Sequence, residues 1–571
     1  MENTYTAVTD AVGGSLALSA LVSTLPLLAF FIMLLGFKAR AHVSGLVSLI
    51  VAILVAVFGF GMPFDLAGMS AFRGGIYGLF PIVWVILMAI WFYQITVLSG
   101  RFEDLRRTFD LIGGGDLRIQ AILIAFCFGG LLEALAGFGA PVAITATMIL
   151  ALGVKPLKAA TTVLIANTAP VAFGAVAIPI TTAGEVAYGA NEQGAQAAVN
   201  VAAVVGHQAP FIAFFVPFIL LWILDGVKGI KDAWMHAAVI GLAFSVAQWW
   251  AATYFAYQLT DVIACIVSIA AAVVFMRFVK PRGVAGVRER YGITESAESV
   301  HLPARRIWMA LMPYLIVVII FGLANLYTPL VNWLKAQSIK FDIPLLAERL
   351  VTASGDPVNS AYTWAWLANP GTYLLFSGLI VAVIYSIFNE KGAYKLGLGD
   401  VLKEIGAVAY KMRWTAVTIA LVLALAFVMN YSGQTVAIGE FVASLGVAYA
   451  FLSPVLGWVG TAVTGSDTSA NALFSKLQVT AAENLQANGV PGAHPELMLA
   501  ANTTGGVVGK MISPQSLAIA ATSVNMEGKE SEIFKAVLPW SFILLFAICV
   551  LVFLQSNILG FMVDPYFASN Q

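Results

Sequence analysis

From residue 15 to residue 560 the chain is a succession of apolar runs, most of them about 20 residues long, the length a helix needs to cross the hydrocarbon of a bilayer. No water satisfies the backbone there. A crossing segment must therefore be helical, and any irregular stretch at that depth must line protein or a wet cavity. Composition agrees: 60% of the 571 residues are hydrophobic and 11% charged, with mean hydropathy +0.89, against roughly 25% charged in soluble domains. The expected class is an all-α polytopic membrane protein with membrane lipid as its surroundings. The 30 basic and 30 acidic residues balance, which argues against nucleic acid as a partner.

Taken in order, spans fall near 15–36, 43–62 and 75–98. Lys38 and Arg40 follow the first, and Arg101, Arg106, Arg107 and Arg118 follow the third. By the positive-inside rule both connections are cytoplasmic and the N-terminus is outside. Met1 to Tyr5 carry no basic residue, so the first span is expected to stay rather than be cleaved. The block 119–153 is flanked by basic residues at both ends and holds Gly137-Phe138-Gly139-Ala140-Pro141 in its middle. That pattern predicts a hairpin entering from the cytoplasm and turning at 137–141. A broken helix over 159–180 follows, and 181–206, with Glu185 and Glu192 but no Lys or Arg, reads as an external loop. Spans at 207–226, 233–256 and 259–279 lead to a basic, cytoplasmic linker, Lys280 to Arg306.

The second half uses the same parts in the opposite sense. Spans at 307–333, 370–388 and 414–430 surround an external loop (334–369) and a Lys-rich connection (389–413). A hairpin from outside (436–483), a broken helix (496–522) and a closing span (536–560) complete it. The organisation predicted is a first repeat over 1–232, linking spans and linker over 233–306, and an inverted second repeat over 307–571. That makes about 12 transmembrane helices besides two re-entrant hairpins and two broken helices, with both termini outside.

The broken helices carry the strongest internal signal. Ala166-Asn167-Thr168-Ala169-Pro170 and Ala501-Asn502-Thr503-Thr504-Gly505-Gly506 each have a glycine seven positions after the Asn (Gly174, Gly509) and a proline twelve after it (Pro179, Pro514). Two proline-kinked helices are the plainer account, since transmembrane helices tolerate Gly and Pro. The shared register favours helices that open at mid-depth and offer backbone groups to a solute. Inverted repeats with discontinuous helices are a secondary-transporter architecture, with the solute at the repeat interface.

Ionisable groups at that depth are functional candidates, and four occur: Glu133, Asp467, Lys476 and Lys510. Aligning Gly137 with Gly465 and Asn167 with Asn502 sets Thr461 opposite Glu133, Gly139 opposite Asp467 and Ala175 opposite Lys510. The charges break a symmetry that the Asn–Thr pairs keep. The candidate substrate site is Lys510 as counter-charge to a carboxylate, with Asn167, Thr168, Asn502, Thr503, Ser466, Ser469 and the backbone at Gly137 and Gly139. Glu133 and Asp467 are candidate proton-coupling acids, because burial favours the neutral form and alternating access to water lets it load and release. The alternative is internal pairing of the lysines with these acids; for Lys476 a structural role, pairing or snorkelling, is favoured. His207 and Arg73 read as interfacial residues. Cys127, Cys265 and Cys549 lie far apart in apolar runs and suggest neither a metal site nor a disulfide framework. With no catalytic His or Cys/His cluster and no nucleotide motif, an enzyme is not expected, nor any cofactor beyond the proton as coupling ion.

At these residues the chain resembles a known family. The stretches that carry the likeness are Gly129-Gly130-Leu131-Leu132-Glu133-Ala134-Leu135-Ala136-Gly137-Phe138-Gly139-Ala140-Pro141, the run Ala166 to Pro170, and Thr464-Gly465-Ser466-Asp467-Thr468-Ser469-Ala470-Asn471 leading to Lys476. Over nearly the full length the chain is similar to the bacterial L-lactate permeases. The resemblance implies a multi-pass protein of the bacterial cytoplasmic (inner) membrane that imports L-lactate, and in some members glycolate, by proton symport. It also implies an elevator-type arrangement, in which hairpins and broken helices move against a static scaffold; a homodimer follows from that analogy alone. The ranking of L-lactate, D-lactate and glycolate is not legible. A sodium-coupled carrier of another small carboxylate stays open as the alternative.

Overall fold

Helix dominates the structure, a computed structural model that describes residues 4–37, 39–112, 115–135, 139–292, 303–351, 358, 360–526, 529–563 and 565. Ten helices among the described residues are long and apolar enough to cross a membrane. They include one hairpin arm, Leu117–Leu135, and part of a broken helix, Val171–Tyr188, so they do not correspond one to one with the expected 12.

Several expected spans change shape. The span expected at 75–98 begins at Phe64 and runs to Leu98, interrupted at Phe80 (φ −139°, ψ 123°) ahead of Pro81. Proline removes one backbone donor and crowds the preceding turn, which accounts for the interruption. The crossings expected at 207–226 and 233–256 both form: the chain reverses at Gly226 (φ 64°, ψ −152°) within Ala209–Tyr254, and the two helices pack on each other, Ser245 Oγ donating to the Pro210 carbonyl at 2.8 Å. Leu398–Ser432 takes in most of the Lys-rich connection as well as the span after it. It packs along Phe64–Tyr77, backbone against backbone: a methyl on Gly78 would come 2.8 Å from Ala420 Cα.

The loop 334–369 is partly strand. Ile339–Phe341 pairs antiparallel with Tyr362–Trp364, and Tyr5–Thr6 pairs parallel with Leu350–Val351. In the linker a short helix, Val284–Arg290, puts Arg290 on Asp225, which also receives the fully buried Arg118 at 3.2 Å.

Residues 181–206 are helical rather than a loop. They form the end of Gly174–Tyr188 and the helix Glu192–Val205, which pack closely through Gly184 and Gly194. Glu185 belongs to this packing: its carboxylate accepts a hydrogen bond from the Tyr77 hydroxyl. Arg73 sits one turn from Tyr77 and is only 2% exposed, so it is not an interfacial anchor. It donates to the carbonyls of Ser360 (3.3 Å) and Ala361 (3.1 Å) and lies over the rings of Tyr362 and Phe427. An absence of Lys and Arg marks a segment equally well as external or as internally packed, and here packing accounts for it.

Both hairpins form. The arms of the first, Leu117–Leu135 and Ala140–Ala151, lie against each other, with Gly139 at φ 88° opening the second arm. A side chain is strained in that left-handed region, so glycine is required. Gly137 lies outside the described residues. The second hairpin has arms Ala448–Thr464 and Asp467–Ala487, preceded by a separate helix, Gln434–Ala443. Gly465 (φ 75°) turns it, and the Ser466 hydroxyl caps the second arm by accepting the Ser469 N–H at 3.2 Å. The two tips converge on one short helix, Pro514–Ser523: a methyl on Gly465 would come 2.6 Å from Gln515 Oε1, and one on Gly139 would overlap Ile519.

Both interrupted helices form too, but they break at different places relative to the shared motif. In the first, Pro156–Ala166 ends at Asn167, a tight turn covers Val171–Phe173, and Ala175, Val176 and Ala177 follow at φ 44°, 61° and 57° before the helix runs on to Tyr188. In the second, Pro495–Gly509 continues unbroken through Asn502 and Thr503. The break comes at Lys510–Ile512, and Ser513 caps the next helix. Pro170, three residues after Asn167, ends the first helix early. No proline follows Asn502 until Pro514.

Candidate functional site

The two breaks and the first hairpin meet around one narrow cleft, packed closely enough in this structure to leave no room for a water-sized solute. Its polar lining is Asn167, Thr168, Lys510 and Ser516, and Val142, Leu164, Val171, Val507 and Met511 supply the apolar wall. The first broken helix delivers Asn167 and Thr168 at the end of its inner segment; the second delivers Lys510 at its break and Ser516 one turn into the following helix. Thr168 Oγ1 donates to the Ile165 carbonyl at 2.6 Å, which leaves its lone pairs toward the cleft. Ser513 Oγ donates to Ser516 Oγ at 2.9 Å, so the Ser516 hydroxyl proton remains for another acceptor.

Lys510 is the cleft's cation, and its partner is Glu133, with Nζ bonded to Oε1. Both are buried, at 9% and 2% exposure. Glu133 arrives on the first hairpin arm, close under the break of the first broken helix: a methyl on Gly174 would come 3.0 Å from Glu133 Oε1. Gly174 thus keeps its backbone against the carboxylate. Glu133 Oε2 is buried without a hydrogen-bond partner. A single ammonium therefore serves half a carboxylate at the edge of a cleft holding one amide and two hydroxyls. Its three N–H donors can reach more than one acceptor, but its single charge neutralises one carboxylate at a time, Glu133's or a solute's.

The remaining expected residues sit behind this cleft. Asn502 is fully buried; its amide donates to Asn471 Oδ1 at 2.9 Å and its carbonyl accepts from Gln478 at 3.2 Å. Thr503 Oγ1 donates to the same Asn471 oxygen at 3.1 Å. Gln478 in turn receives the hydroxyls of Tyr449 (2.6 Å) and Ser453 (2.8 Å). These contacts fasten the second broken helix to the second hairpin. Asp467 accepts from Thr461 at 3.3 Å and lies against Gly506, with Oδ2 buried and unpartnered. Ser466 and Ser469 belong to the hairpin turn, and Gly139 to the other tip. Lys476 donates to the Ala187 carbonyl at 3.2 Å, at the C-terminal end of the first broken helix, where a cation is favoured. His207 is held by the Ala203 carbonyl (2.8 Å) and Trp249 (3.0 Å). The three cysteines are buried and free.

Four contributors escaped the sequence reading. Ser516 had no motif to mark it. Asn471 and Gln478 look like ordinary helix residues until their partners are known. Asp261, the sole acid between Ala233 and Val279, was detectable by that isolation alone; it is 1% exposed and accepts from Gln248 Nε2 at 2.9 Å.

Comparison with known proteins bears on this arrangement. The family described as L-lactate permease matches residues 19–559. The glycolate permease GlcA of Escherichia coli is 38% identical, covering 95% of this chain and 97% of that protein. The L-lactate permease of Bacillus subtilis is also 38% identical (97% and 98% covered), and that of Salmonella typhimurium 36% (96% and 98%). Among solved structures, the Alcanivorax borkumensis YdaH transporter aligns with 85% of this chain and 98% of its own at 15% identity and TM-score 0.31, too low to bear on the fold. The relatives are named as permeases, which are transporters and not enzymes, and the helices make this a multi-pass membrane protein. The chain belongs to the L-lactate permease family.

Proposed function

We propose that the chain imports a small 2-hydroxycarboxylate, L-lactate first, with D-lactate and glycolate as further solutes, together with a proton across the bacterial cytoplasmic membrane. The observation that carries this reading is the buried Lys510–Glu133 pair at the edge of the cleft. In the empty protein the pair is neutral. An incoming carboxylate takes Lys510, and Glu133, released, takes a proton; the loaded site is neutral again. Solute without a proton leaves Glu133 as an unpaired anion, and a proton without solute leaves Lys510 as an unpaired cation. Either costs about 2.5–3.5 kcal/mol on insertion scales, roughly a 100-fold penalty on crossing half-loaded. The coupling thus follows from charge pairing.

In this reading Asn167, Thr168 and Ser516 hold the solute's carboxylate and hydroxyl, and Val142, Leu164, Val507 and Met511 face its carbon skeleton. Asn502, Thr503, Ser466 and Ser469 keep the second hairpin in register behind the site, and Asp467 is the reserve acid. The two hairpins and two broken helices form the mobile part, the other spans the scaffold, in inverted repeats over 1–232 and 307–571 with both termini outside; a homodimer would meet through that scaffold. The test is Glu133→Gln in proteoliposomes. Lactate exchange should persist while accumulation along an imposed pH gradient falls to the level set by passive leak. Undiminished accumulation by Glu133→Gln would remove the proton from Glu133.

A further inference from the structure

The mechanism above makes no use of Asp261, yet this carboxyl is buried just behind the cleft. It begins the helix Thr260–Phe278, and among the described residues no cation pairs with it. The charged group acting on it is Glu133, from the first hairpin arm, and Cys265 stands one turn along its own helix. That helix packs against the hairpin arm through Gly130, where a methyl would come 2.8 Å from Cys265 Sγ. Its one hydrogen-bond donor is Gln248, fully buried on Ala209–Tyr254. The same Gln248 nitrogen donates to the Ala169 carbonyl at 3.1 Å, in the turn that carries Asn167 and Thr168 into the cleft. Two atoms are left over, Asp261 Oδ2 and Gln248 Oε1, both buried and both without a partner.

Two unpartnered acceptors on groups already joined by one hydrogen bond lack a single hydrogen. We infer that Asp261 is kept as the neutral acid, its Oδ2–H donating to Gln248 Oε1 to close a two-bond acid–amide ring. That ring locks Gln248 against the Ala169 carbonyl and so sets the backbone of the Asn167–Thr168 turn. Asp261 and Gln248 are positioning residues for solute binding, and the Asp261 proton is structural and never transported. Asparagine reproduces the acid: its amide donates to Gln248 Oε1 and its carbonyl accepts from Gln248 Nε2.

The inference rests on the transport reading only for its choice of solute, and part of its test needs no transport. In the full-length protein, the infrared spectrum at neutral pH should contain a deuterium-sensitive protonated-carboxyl band that is missing from Asp261→Asn; identical spectra would overturn the assignment. In proteoliposomes, Asp261→Asn should keep KM for lactate within about twofold and retain pH-driven accumulation. Gln248→Leu should raise KM by about tenfold with little change in maximal rate. If Asp261→Asn instead lost pH-driven accumulation while keeping exchange, Asp261 would be a proton carrier, and the inference would fail. If it raised KM as Gln248→Leu does, the ionised form would be the one required, which overturns it equally.

Discussion

At the scale of single residues, Lys510 and Glu133 are unequal to the other polar groups around the cleft because, among the described residues, each is the other's only ion-pair partner. Replacing Lys510 by Gln strands a buried carboxylate, and breaking a buried pair from one side costs about 3–5 kcal/mol. Replacing both, as Lys510→Gln with Glu133→Gln, leaves two neutral amides of similar volume and should recover most of that loss. The expected outcome is a marked fall in thermal unfolding temperature for Lys510→Gln and near-normal stability for the double variant, read in detergent by intrinsic fluorescence, with lactate transport lost in both. Ser516 is the contrasting case: it lines the cleft and its hydroxyl proton is not committed to Ser513. A hydrogen bond to a charged solute contributes about 1.5–3 kcal/mol, so Ser516→Ala should raise KM by tenfold or more while the unfolding temperature stays put.

At the scale of elements, the sequence made the helices and the hairpin turns legible, because apolar length and Gly-Pro clusters report local conformation directly. Residues Gly139 and Gly465 turn the chain where a turn was expected. It made the breaks legible only in part. Asn167 stands at a break and Asn502 does not, although both read alike, because Pro170 is local and the partners of Asn502 are not. Asn471 and Gln478 lie 31 and 24 residues away from Asn502, and no periodicity announces such pairing. The glycines at this crossing serve close approach: a methyl on Gly505 would overlap the Pro454 carbonyl, and one on Gly457, on the facing hairpin arm, would overlap that of Asn502. Small residues at such crossings let two backbones touch. Gly505→Ala should therefore cost about 1–3 kcal/mol by overpacking, seen as lower yield of folded protein and a lower unfolding temperature. A glycine acting only as a helix breaker would instead give a more stable protein with alanine.

At the scale of the whole molecule, the charge pairing has a consequence for energetics. One anion and one proton cross together, and the total charge of the site is the same empty and loaded: Lys510 pairs with ionised Glu133 when the site is empty, and with the solute's carboxylate beside protonated Glu133 when it is loaded. The complete cycle then moves no net charge. A membrane potential acts on moved charge at about 2.3 kcal/mol per elementary charge per 100 mV, which equals roughly a 50-fold change in accumulation ratio. Proteoliposomes with a potassium diffusion potential of about 100 mV and no pH gradient should thus accumulate no lactate beyond the control, whichever sign is applied, whereas an equivalent pH gradient alone should drive uptake. A 50-fold response to voltage would mean that a second proton, or a second cation, crosses with each solute. Asp467 would then be the next acid to test, because its Oδ2 is buried without a partner and it lies within electrostatic reach of Lys510.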